Sequence, residues 1–76
     1  MNANEKLASQ VAACKAYLAL RTWGDWTSMC ETAKIRGELL FASVPANKGP
    51  QGKLYAALLS SGVRLSYNEI GRPYFE

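Results

Sequence analysis

The chain has no histidine, two cysteines, three prolines and no run of adjacent basic residues. Without histidine there is no Ser–His or Cys–His nucleophile pair and no imidazole ligand for zinc. Cys14 and Cys30 fall two thiolates short of a Cys₄ site, and their spacing is not that of a C-x-x-C redox motif. No stretch approaches the ~18 consecutive apolar residues that mark a membrane-spanning helix. Asn2, Asn4, Glu5 and Lys6 interrupt the start, so no secretory pattern is present. These absences predict a cytoplasmic protein with reduced thiols that is not an enzyme. They also predict no metal site, no cofactor and no membrane partner. The chain opens on Met and reads as a complete small gene product.

What is present is a short, well-mixed sequence. Of 76 residues, 49% are hydrophobic and 20% charged, too apolar for disorder and too short for two domains. A single small domain over residues 1–76 is expected, at a size where one core is barely sufficient. Nine Lys and Arg against six Asp and Glu give a net charge of +3. The basic residues are scattered along the chain, so they predict a solvated surface rather than one continuous patch.

Helical signals dominate. Residues 3–21 hold many Ala and Leu and no Gly or Pro, and Leu7, Val11, Cys14 and Leu18 recur at the spacing of one helix face. Asn2 and Glu5 resemble a capping box. Thr22-Trp23-Gly24-Asp25 reads as a tight connection in which Gly24 permits positive φ and Asp25 caps the next helix. That second helix is expected over 26–43, stopped by Pro45, and antiparallel to the first because the connection is short. Cys14, Cys30, Val11 and Gly37 should meet where the two cross. A loop at 45–52 and a third helix at 51–61 follow, with Gly62 just past its end. The tail, 63–76, alternates at Val63–Tyr67 and carries turn residues at Asn68–Gly71. The expected fold is all-α or mainly α: an antiparallel helical hairpin and a third helix, with a C-terminal β-hairpin or an extended tail docked on them.

Four features bear on function. Gly49-Pro50-Gln51-Gly52-Lys53 places glycines and a lysine at a helix start, where a single phosphate contact is conceivable, but the spacing departs from a phosphate-binding loop. The two cysteines are expected as small buried hydrophobes, with a redox disulfide as the alternative. Ile35 and Leu39 lie on the side of the second helix opposite Cys30, and are expected as core, with an interface as second choice. Trp23 should be partly exposed, and with Tyr67, Arg72, Tyr74 and Phe75 it forms the expected partner surface, since Trp, Tyr and Arg are enriched at binding hot spots. The leading expectation is therefore a small protein-binding adaptor, inhibitor or regulator acting on a larger protein. A second copy of the chain is a further conceivable partner. Small helical products of this kind are frequent among bacteriophage and mobile-element accessory proteins, an argument from analogy. A small DNA-binding regulator is the alternative. Nucleic acid ranks lower because the loop before the third helix is too long for a helix-turn-helix.

Overall fold

The computed structural model describes residues 2–35 and 49–76. In chain order these form α1 (Ala3–Ala19), β1 (Gly24–Asp25), α2 (Trp26–Thr32), α3 (Gly49–Ser60), β2 (Leu65–Tyr67) and β3 (Pro73–Phe75). The described residues are mainly helical, with a small antiparallel sheet in the order β1-β3-β2.

The caps explain where the helices begin. At α1, the Asn2 Oδ1 accepts from the Glu5 N–H at 2.8 Å, and the Asn2 amide reaches Glu5 Oε1 at 3.4 Å. At α2, the Asp25 Oδ1 accepts from the Ser28 N–H at 2.7 Å, satisfying a donor that has no partner within the helix. At α3, Gly49 has φ +61°, so helical backbone begins at Pro50, whose fixed φ and missing N–H suit a first helical position.

The second helix is much shorter than the expected 26–43. It ends at Thr32 in a Schellman motif. The Lys34 N–H donates to Glu31 O at 3.0 Å and the Ile35 N–H to Cys30 O at 2.9 Å, with Lys34 left-handed at φ 58°. Glycine is the usual residue at that position. A lysine there gives no sequence signal, which is why apolar periodicity carried the expectation past it. The turn carries Ile35 back into the core, where both it and Cys30 are buried. Residues 36–43, with Gly37 and Leu39, lie outside the described residues. The end of α3 uses the same device with the usual glycine. Gly62 sits at φ +96°, its N–H donates to Leu59 O at 3.3 Å, and the Val63 N–H donates to Leu58 O at 3.1 Å.

The tail forms strands. β2 pairs antiparallel with β3 in the register Leu65↔Phe75, Ser66↔Tyr74, Tyr67↔Pro73. Reciprocal Arg64–Glu76 backbone bonds at 3.1 and 3.0 Å extend the pair. Asn68 organises the turn: its carbonyl accepts from the Gly71 N–H at 2.9 Å, and its Oδ1 accepts from the Ile70 and Arg72 N–H groups at 3.1 and 2.9 Å. Gly71, at φ +80°, takes the left-handed position of a three-residue hairpin loop. The unexpected strand is β1, where Gly24 faces Phe75 and Asp25 faces Tyr74. The connection read as a plain turn is thus the edge of a sheet whose central strand is β3.

Gly24 is there for space and not for φ. A Cβ on it would stand 3.0 Å from Met29 Sδ and Tyr17 Cε1 and 3.2 Å from Leu18 Cδ2. Gly24→Ala should therefore cost about 1–3 kcal/mol through overpacking. A denaturant titration checks this, and an unchanged midpoint would mean that the three side chains give way freely.

The core joins all of these elements. Cys14, Trp26, Met29, Cys30, Ala33, Ile35, Leu54, Leu58, Val63 and Phe75 are buried together, and Leu7, Val11, Tyr17, Leu18, Tyr55 and Leu65 pack against them. The expected apolar face of α1 is the one that packs inward.

Candidate functional site

Strand alternation builds the outer surface at one end of the molecule. Gly24 points inward, so its neighbours Trp23 and Asp25 point the other way, as does Tyr74 opposite Asp25. Arg72, two residues before Tyr74, shares that side, and its backbone is held by Asn68. These residues meet. A groove of about 420 Å³ is lined by Thr22, Trp23, Asp25, Asn68, Ile70, Arg72, Pro73 and Tyr74. A second, of about 310 Å³, shares Thr22, Trp23 and Asp25 with the first and is lined further by Tyr17, Arg21 and Ser28. Tyr67 reaches the same end through a shallower depression shared with Asn68, Glu69, Ile70 and Tyr74.

The surface is apolar and open. Trp23 is 55% exposed, Tyr67 58% and Ile70 84%. Arg72 approaches Asp25 at 3.8 Å, longer than a charge-assisted hydrogen bond. The Arg21 guanidinium lies 4.7 Å from the centre of the Tyr17 ring, a cation–π contact. Of the expected partner residues, Trp23, Arg72 and Tyr74 line one groove and Tyr67 adjoins it. Phe75 does not belong with them. It is fully buried, its ring centroid 5.6 Å from that of Trp26 and 6.4 Å from that of Tyr55, because its position in β3 turns it to the face opposite Tyr74. Ile35 is likewise core, which removes the second-choice interface at that residue. Leu39 lies outside the described residues. Ile70 was missed. Its turn position hid it, although an isoleucine beside Gly71 has no core to enter, and that is a usable signal.

The basic residues are less dispersed than their sequence positions suggest. Lys6, Lys34 and Lys53 line one cleft of about 600 Å³ with Gly49 and Pro50 at the start of α3. They come together because the left-handed turn at Lys34 and the first turn of α3 both lie against α1. Arg64 lies apart from them, bonded to Glu76 at 3.4 Å. Arg36 and Lys48 lie outside the described residues.

Both thiols are buried and free, and the Cys14 thiol donates to Met29 O at 3.6 Å. Burial pushes Cys14 up to about 11. Cys30 rises to about 12, through burial first and then the nearby Cys14 and Glu31. A thiol is nucleophilic only as the thiolate, so the folded chain should resist alkylation at pH 8 and react once denaturant is added. Linkage has a definite sign here. The unfolded thiols ionise near 9.0, before the folded ones, so stability is at its full value below that pH and falls as pH rises toward 11–12. Urea midpoints at pH 8 and pH 10 measure the difference.

No helix among the described residues is long and apolar enough to cross a membrane. Among the same residues, no group of three His, Cys, Asp or Glu side chains is placed to hold a metal ion. A scan against protein-family models, a search of curated proteins and a search of solved structures each found no match.

Proposed function

We propose that the chain is a small non-enzymatic protein-binding regulator, an adaptor or inhibitor of the accessory kind that bacteriophages and mobile elements encode. It docks a larger protein through the end formed by Trp23, Tyr67, Ile70, Arg72 and Tyr74. In this reading the first two helices form an antiparallel hairpin that, with the third, serves as the scaffold for that end. One observation carries the reading. Trp23, Tyr67 and Ile70 are exposed, with Ile70 sharing one groove with Trp23 and a depression with Tyr67, and contiguous exposed apolar surface marks interaction sites. Trp and Arg beside each other fit the composition of binding hot spots.

The test is affinity capture from the source cells on immobilised chain, run beside the Trp23→Ala/Ile70→Ser variant. The double variant should melt like the parent, since both side chains are exposed, and should lose a specifically captured protein. Equal capture by both chains would refute docking at this end.

A DNA-binding regulator remains the second reading, favoured by the convergence of Lys6, Lys34 and Lys53 on one cleft. Binding to random duplex DNA at two salt concentrations tests it. Phosphate neutralisation by about three lysines gives a slope of log K against log salt near −2.7, and no binding at low salt rejects this reading.

A further inference from the structure

The charges around Trp23 say more about the partner than its apolar area does. Two grooves share Thr22, Trp23 and Asp25 in their linings, and each holds one arginine: Arg72 in the first, Arg21 in the second. Both arginines are exposed, Arg72 while loosely paired with Asp25. The Arg72 side chain is 55% exposed and meets Asp25 only at 3.8 Å. Arg21 rests on the Tyr17 ring face, a contact that leaves the N–H groups around its edge free to donate. Asp25, the acidic group common to both grooves, is already engaged. One oxygen accepts from the first turn of α2 and the other faces Arg72. The exposed Trp23 therefore has an exposed cation in each of the two grooves it lines, on a chain of net charge +3.

Resting on the protein-binding reading above, we propose that the partner presents a segment in which an apolar side chain is flanked on both sides by carboxylates. The apolar group packs on Trp23 and Ile70, and the carboxylates accept from Arg21 and Arg72 in the planar fork geometry that suits them. A single-stranded nucleic acid would find the same ring and cations, as bases stack on aromatic side chains. Its backbone, however, carries a charge at every nucleotide, and the Asp25 carboxylate lines both of the grooves that hold the arginines. A peptide places its charges only where they are wanted, so the acidic peptide is the occupant that fits.

The test pans a surface-displayed random peptide library on the immobilised full chain, with prior removal of peptides that bind Trp23→Ala. Selected peptides are then titrated against the parent, Arg21→Gln and Arg72→Gln, and oligothymidylate is titrated in parallel. The expected result is an apolar residue with Asp or Glu on both sides, bound about tenfold or more weakly by each arginine variant and without competition from oligothymidylate. Enriched peptides without acidic residues, or no enrichment, would overturn the proposed chemistry. The docking surface would still stand if capture depends on Trp23. Peptides held equally by both arginine variants would also overturn it. Oligothymidylate that binds with a steep salt dependence and displaces the peptides would assign the surface to nucleic acid.

Discussion

Phe75→Ala should unfold the protein or bring it close to unfolding. A phenylalanine beside Tyr74 in a short tail strand looks like part of an aromatic surface. The topology reverses that expectation. β3 is the central strand, bonded to β1 on one side and β2 on the other, so Phe75 faces Gly24 and Leu65 at once. Its ring is fully buried against Trp26 and Tyr55. Truncating a buried Phe to Ala costs about 3–5 kcal/mol. A small domain has little more than that in total, since folded domains as a class hold only about 5–15 kcal/mol. Urea denaturation followed by circular dichroism should show a collapsed midpoint or no transition. Tyr74→Ala is the control one residue away: half-buried on the opposite face, it should shift the midpoint far less and act on partner binding instead. If Phe75→Ala melts like the parent and loses only binding, the burial of Phe75 is wrong and it returns to the interaction surface.

The same strand shows what the sequence made legible. Local signals were reliable wherever a residue's own chemistry decides its conformation. Asn2, Asp25, Gly62 and the Asn68–Gly71 turn each do what their side chain or missing side chain favours. The apolar face of α1 was legible from spacing, and so was the exposure of Trp23. What was hidden depends on pairing across the chain. Gly24–Asp25 is too short to show strand periodicity, and its pairing partner β3 lies far away in sequence. Phe75 and Tyr74 differ in burial because of register, which a tail of this length does not reveal. Lys34 ends α2 in a conformation that nothing in its side chain announces. For the candidate site, the aromatic and cationic residue types were visible, but not which of them share a face. Ile70 entered through geometry alone, and so did the cleft that gathers Lys6, Lys34 and Lys53.

Trp26 anchors the opposite side of the same aromatic cluster, and its hydrogen bond makes a sharper prediction than its bulk. Trp26 is 1% exposed and Gln51 4%. The indole N–H donates to Gln51 Oε1 at 3.3 Å, and among the described residues no buried side-chain N or O lacks a partner. Trp26→Ala should cost about 3–5 kcal/mol through lost packing with Tyr55 and Phe75. Trp26→Phe keeps a ring in that cluster, whose centroids lie 6.1 and 5.6 Å from the indole. It nevertheless leaves the Gln51 oxygen buried without a donor, which costs about 1–3 kcal/mol beyond the lost volume. Replacing both members of such a pair with apolar groups is far milder than removing one. Trp26→Phe/Gln51→Leu should therefore be more stable than Trp26→Phe alone, with a coupling of about 0.5–3 kcal/mol between the two sites. Denaturant midpoints for the parent, both single variants and the double variant supply that coupling directly. Simple additivity would mean that water satisfies Gln51 once the indole is gone, and that packing alone holds Trp26 in place.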